Sequence, residues 1–205
     1  MNQERRDRLR DAALAVLAGT GGRGLTHRAV DAAADVPSGT AKNYFPSRDA
    51  LLRAVAERCL EQYRELSARA AGGEPPQDRE ALAAMAAALL RDVAGPGRDR
   101  LLAVLELQAE AARRPWLSAI LDPIAAADFA RLEAAQRAAG LPVTPQRAAT
   151  VTLALHAAIP HLLAGGPATL EAAGLHDLDR FVRDLLHAVY PEPGGGAGPE
   201  GQERP

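Results

Sequence analysis

Leu25-Thr-His-Arg-Ala-Val-Asp-Ala-Ala-Ala-Asp35-Val-Pro-Ser-Gly-Thr-Ala-Lys-Asn-Tyr-Phe45-Pro-Ser-Arg-Asp-Ala-Leu-Leu52 reads as two very short helices and the start of a third. Thr26 is an N-cap for the first, which runs to about Ala34. Ala29, Val30, Ala33 and Ala34 give that helix an apolar face of small side chains, so a second helix can cross it closely. Asp35 follows, a residue type that tolerates the left-handed backbone of a sharp turn. Val36 returns to the core, and Pro37 suits the first turn of a new helix spanning Ser38 to Phe45. Pro46 stops it, and Ser47 caps a third helix from Arg48. Two short helices joined by so tight a turn match the helix-turn-helix unit, whose second helix enters the DNA major groove. An ordinary helical hairpin in a bundle fits the same spacing.

The residue types on the second helix favour the first alternative. Ser38, Thr40, Lys42, Asn43 and Tyr44 can all donate hydrogen bonds from a helix too short to bury much. Thr26, Arg28, Lys42, Tyr44 and Arg48 suit phosphate oxygens, with Arg48 beside a helix N-terminus that itself favours anions. Ser38 and Asn43 are better placed to read base edges, and Asn suits adenine. Val36 to Leu51, with Gly39-Thr40, Tyr44-Phe45 and Ser47-x-x-x-Leu51 in register, resembles the TetR-type repressor signature over about residues 5–58. Asp35 stands where that family usually has Gly. Lys42 stands where it often has Tyr, which makes the contact there ionic rather than aromatic. Arg48 replaces the usual Lys, keeping the charge and changing its geometry.

The resemblance implies an all-α protein with a helix-turn-helix head at residues 1–47 and a helical ligand-binding and dimerisation body at 48–190. Within the body, 48–71 would be a linking helix. It implies a repressor that binds a palindromic operator as a homodimer and is released when a ligand in the body moves the linking helix. It also implies that the arginines near the N-terminus reach the DNA backbone. Gly39 joins the DNA-binding set on the same footing. No cofactor is implied.

Composition agrees with a helical protein. Ala, Leu, Arg and Glu dominate, β-branched runs are scarce, and Gly and Pro cluster between segments. The net charge of −2 gives no overall nucleic-acid bias. The halves differ: residues 1–58 carry ten Lys/Arg against seven Asp/Glu, and the remainder fourteen against nineteen. That asymmetry suits a DNA-binding head on an acidic body. Cys59 is the one cysteine, so no intrachain disulfide or cysteine zinc site can form. No apolar run reaches transmembrane length and the N-terminus is densely charged, so a cytoplasmic protein without membrane contact is expected.

Helical periodicity extends from residue 5 to 18, and Gly19-Thr-Gly-Gly-Arg-Gly24 reads as a stop. That glycine run follows no strand and lacks the Lys-Ser/Thr of a phosphate loop. The body reads as helices from Asp78 to Val93, Arg98 to Arg113, Trp116 to about Ala139, Thr144 to Leu163 and Asp177 to Val189. Asp122-Pro123 either kinks or divides the third of these. The tail from 191 to 205 is expected to be disordered.

The segment Ala148 to Leu163 is apolar almost all round and must be covered on more than one side. Val151, Leu155 and Ile159 on it, with Leu178, Phe181 and Leu185 on the last helix, are candidates for a two-fold four-helix interface. Small-molecule sites are mostly apolar with a few polar groups. Where the resembling family keeps its pocket, this chain offers Met85, Leu89, Leu102, Leu105, Trp116, Ile120, Phe129 and His156, with Glu106 and Gln108 as polar contacts. An apolar or aromatic effector is expected.

No enzyme is expected. His156 and His161 are five residues apart, roughly 140° around a helix axis, which separates them too far to share a metal. Glu106 and Glu110 lack the Glu-x-x-His partners of a carboxylate-metal bundle and read as a solvated face. Two alternatives remain: a ligand-independent regulator, and a helical-bundle carrier or enzyme with a helix-turn-helix-like hairpin.

Overall fold

A computed structural model describes residues 3–192. The expected disorder of the tail therefore falls, from residue 193 onward, outside the described residues. The described residues form ten helices and no strand. They are α1 (Gln3–Gly24), α2 (His27–Ala33), α3 (Thr40–Tyr44), α4 (Arg48–Ala71), α5 (Arg79–Ala94), α6 (Arg98–Ala111), α7 (Pro115–Ala138), α8 (Pro145–Ala164), α9 (Pro167–Ala172) and α10 (Leu178–Val189). No helix among them is long and apolar enough to cross a membrane.

Four helix N-caps carry side-chain hydrogen bonds. Thr26, Asp78, Thr144 and Asp177 each accept from a backbone N–H in the first turn of the helix that follows. Four boundaries differ from expectation. The helix α1 runs on through Gly19 and Thr20 and breaks only at Gly21, whose φ of 68° is open to glycine. The second short helix starts at Thr40, not Ser38: Pro37 and Ser38 lie in a turn closed by Thr40 N–H donating to Pro37 O at 3.1 Å. Pro123 does not divide the segment into two elements: α7 runs as one helix with the proline inside it. Gly165-Gly-Pro167 ends α8 but also opens the short helix α9, since proline suits a first turn.

Two apolar cores result. The first joins Leu9, Leu17, Val30, Phe45, Leu52 and Val55 of the head and linking helix with Ala103 and Leu107 of α6 and Leu117 and Leu121 of α7. The second joins Ala87 and Leu90 of α5, Leu132 of α7, Val151 and Leu155 of α8, and Val182 and Leu186 of α10. Gln136 is buried inside the second core yet satisfied: it donates to Leu132 O at 3.0 Å and accepts from the Tyr190 hydroxyl at 2.8 Å. The helix α7 thus serves both cores, and α6 joins the head core, so the head is packed onto the body and not merely tethered to it.

Candidate DNA interface and body cavity

The recognition helix is held by a carboxylate. Asp31 of α2 is 3% exposed, and it accepts from Gly39 N–H at 2.7 Å and Ala41 N–H at 2.6 Å. This satisfies amide donors at the start of α3 and fixes its angle to α2. Asp35 has a φ of 50° and Gly39 one of 90°, so the connection from α2 into α3 uses left-handed backbone at both of its ends. Ala41 packs inward without exposure. His27 Nε2 lies 2.5 Å from Phe45 O and closes the far end of the helix.

This frame turns Ser38, Gly39, Lys42 and Asn43 to solvent, together with Thr26 and Arg28 from α2 and its cap. Thr40 and Tyr44 are half-buried. The Thr40 hydroxyl donates to Pro37 O at 2.5 Å, and Tyr44 packs on the head core. Six of the nine residues assigned to DNA from sequence are therefore exposed and two, Thr40 and Tyr44, half-buried. Arg48 is the correction. Its guanidinium donates to Gly22 O at 2.6 Å and Leu25 O at 3.0 Å and lies 3.6 Å from Glu110. It binds the carbonyls that end α1, and those carbonyls compete with any phosphate. Arg10, one of the arginines near the N-terminus that the resemblance sends to the DNA backbone, is also held within the chain. It is 5% exposed and pairs with Glu61 at 2.7 Å and Asp7 at 3.1 Å, which fastens α1 to α4.

The body holds a cavity of about 500 Å³ between α4, α5, α6, α7 and α8. Leu89, Leu105, Gln108 and His156 line it as expected from sequence. Met85, Leu102, Glu106, Trp116, Ile120 and Phe129 do not. Met85 packs on the second core. Leu102 is half-buried but lies off the arc of α6 that carries Leu101, Val104, Leu105 and Gln108 into the cavity. Trp116 and Ile120 pack on the first core, and the Arg53 guanidinium stacks 4.7 Å from the Trp116 ring centre. Phe129 stands edge-on to His156 at 5.6 Å, supporting the imidazole from outside the lining. Glu106 leaves the cavity altogether: its carboxylate accepts from Gly22 N–H at 2.8 Å. The Glu pair is not a solvated face: Glu106 meets α1, and Glu110 pairs with Arg114, just before α7, at very short range.

Sequence reasoning missed the polar part of the cavity. Asp128 Oδ2 lies 2.6 Å from His156 Nε2, and Oδ1 accepts from Arg131 at 2.7 Å. Burial pushes the Asp128 carboxyl up, but these two hydrogen bonds outweigh it and hold the group below its ordinary value. The Tyr63 hydroxyl is buried against the Arg131 guanidinium and has no acceptor for its own proton. Arg100 pairs with Asp92 at 3.3 Å. Burial pushes the Cys59 thiol up to about 12, so it stays protonated and unreactive. Asp128 and Arg131 are three apart on a helix and read as a surface ion pair; only the fold of α4 and α8 over them makes them lining. Among the described residues no group of His, Cys, Asp or Glu could hold a metal ion.

The interface residues expected from sequence divide. Leu178, Phe181 and Leu185 are half-buried along α10. Val151 and Leu155 are 3% and 5% exposed within the chain's own core, and Ile159 lines the cavity. The outward stripe of α8 is instead Thr150, Leu153, Ala157, Pro160 and Ala164, with Leu153 58% exposed. A helix apolar all round does not reveal its phase by periodicity.

A helix-turn-helix head fastened to a cavity-bearing helical body defines a one-component regulator architecture. The chain belongs to the TetR family of transcriptional regulators: residues 77–190 match the family described as tetracyclin repressor-like, C-terminal domain. The body matches there, while the signature read above lies in the head, so two separate stretches agree. Among solved structures, the multidrug binding protein EbrR complexed with ethidium is 28% identical, with 92% of this chain and 99% of that one covered and a TM-score of 0.65. A member of the TetR family, SCO1917 from Streptomyces coelicolor A3, is also 28% identical, with 92% and 99% covered and a TM-score of 0.63. A putative TetR-family regulator from Rhodococcus sp. is 24% identical over 92% and 100%, at a TM-score of 0.65, and shares the fold. No curated protein matches.

Proposed function

We propose that the chain is a dimeric repressor that binds a palindromic DNA operator through α3 and is released by a small molecule in the body cavity. The observation that carries this reading is α6. One side of it, through Leu101, Val104, Leu105 and Gln108, lines the cavity. Another side, through Glu106, holds Gly22 at the end of α1. A ligand that displaces α6 also displaces the contact that sets the head. EbrR, a 28% identical neighbour, is described in complex with ethidium and with imidazole, which supports an effector role for the body. The reading is of a binding protein, not an enzyme.

Selection of random duplex DNA against the purified protein, read by sequencing, tests it. Enrichment of a palindrome with half-sites about one helical turn apart is expected. Absence of enrichment at low salt would show that the hairpin is not a working DNA head. On the selected site, Lys42→Ala should weaken binding and lower the slope of log affinity against log salt by about 1 per protomer, since a phosphate contact releases a counterion. Asn43→Ala should leave that slope unchanged and relax preference at one base pair of each half-site. Equal slopes for wild type and Lys42→Ala would remove the phosphate assignment.

The coupling has its own test. Glu106→Ala should preserve ligand affinity but reduce the loss of operator affinity that ligand causes. Head stability should fall by about 1–2 kcal/mol, because the part-buried Gly22 N–H loses a charged acceptor. Full release in this variant would place the coupling elsewhere.

A further inference from the structure

The cavity's charge pattern bears on what it holds, and the inference here rests on reading that cavity as the effector site. Two carboxylates line it, and both are already paired. Asp92 has Arg100 at 3.3 Å. Asp128 has a donor on each oxygen, Arg131 on Oδ1 and His156 on Oδ2. The donors are less committed. Arg131 uses Nη2 alone on Asp128, leaving Nε and Nη1 to donate. The Tyr63 hydroxyl lies against the same guanidinium and is buried with no acceptor for its proton, which an added acceptor oxygen would supply. The remaining walls are aliphatic, from Leu101, Val104, Leu105, Ile124 and Ile159 among others.

We infer that the cavity selects a lipophilic anion, an apolar body carrying one carboxylate-like head that docks at Arg131 and Tyr63. A lipophilic cation would find no free carboxylate. It would have to take Asp128 from Arg131 and His156, breaking charge-assisted hydrogen bonds to make one of its own. A carboxylate adds an acceptor where donors are in excess and leaves the existing pair intact. The size of the cavity, about 500 Å³, suits a two-ring aromatic or a medium aliphatic chain.

Three probes of matched shape decide this by titration calorimetry on the full chain: naphthylacetate, naphthylethylammonium and naphthylethanol. The carboxylate should bind about tenfold or more tighter than the ammonium, the value of one good charged hydrogen bond. Arg131→Met keeps the apolar stem and removes the donors. It should weaken naphthylacetate by about tenfold, leave naphthylethanol nearly unchanged and strengthen the ammonium, because Asp128 is freed. Asp128→Asn, which frees Arg131 instead, should strengthen the carboxylate. Circular dichroism checks that each variant is folded. Wild-type protein that binds the ammonium as tightly as the carboxylate overturns the inference and leaves the effector cavity standing. A carboxylate-to-ammonium ratio that neither variant changes also overturns it. No heat from any probe overturns the effector cavity itself, while the DNA selection remains an independent test of the head.

Discussion

Asp31→Ala is expected to abolish operator binding and to lower stability by about 3 kcal/mol, through loss of two charge-assisted hydrogen bonds. The two amides involved begin the recognition helix. Ala41 N–H is buried, so no water replaces the lost acceptor there. Gly39 N–H is part-buried and recovers some solvation. For a chain of this size such a loss lowers the melting temperature by roughly 6–12 °C. The effect on DNA exceeds the effect on stability. The helix α3 is only five residues long and cannot hold its own conformation without tertiary support. Without the carboxylate its angle to α2 is free, and a docking surface that must match a groove is lost. Asp31→Asn keeps one acceptor oxygen but turns an NH2 group toward the second amide, so an intermediate loss is expected. Thermal melts and operator titrations on both variants check this. Unchanged melting with unchanged affinity in Asp31→Ala would show that α3 is set by packing alone.

Asp31 also shows where sequence reasoning stops. The helix-turn-helix was legible because its signals are local. A cap at Thr26, a left-handed position at Asp35 and prolines at 37 and 46 each act on their own neighbours, and each falls near its expected place. Asp31 sits on a helix among alanines and reads as an exposed polar residue; its acceptors' partners lie eight and ten residues on, across the turn. Arg48 and Glu106 fail for the same reason in reverse. Both read as groups free to meet a ligand, and both are taken by the backbone at the end of α1. The glycine run read as a simple stop supplies those backbone groups, because the left-handed break at Gly21 presents them. The cavity was legible as a region but not as a set. Its apolar walls follow from helix stripes, whereas its polar members, Tyr63, Asp128 and Arg131, come from helices whose packing depends on chain-distant contacts.

Leu153→Glu is expected to separate the proposed dimer into folded monomers. Leu153 is the large apolar side chain most exposed among the described residues, and it lies on the stripe with Ala157 and Pro160. The helix α10 packs beside α8 and adds Phe181 and Leu185, both half-buried, to that side of the body. In a two-fold interface each substitution occurs twice, so two carboxylates would be desolvated without partners. At a few kcal/mol per buried charge, the dissociation constant should rise by about a thousandfold or more. Helical content should not change, because Leu153 faces away from its own core. Leu155→Glu makes the contrast. Its carboxylate would enter the second core beside the cavity, and the expected result is unfolding rather than dissociation. Sedimentation equilibrium with circular dichroism distinguishes the two. A Leu153→Glu protein that keeps its dimer mass would move the interface off α8. A folded monomer that also loses preference for paired half-sites would tie that stripe directly to operator recognition, since one head alone can hold only one half-site.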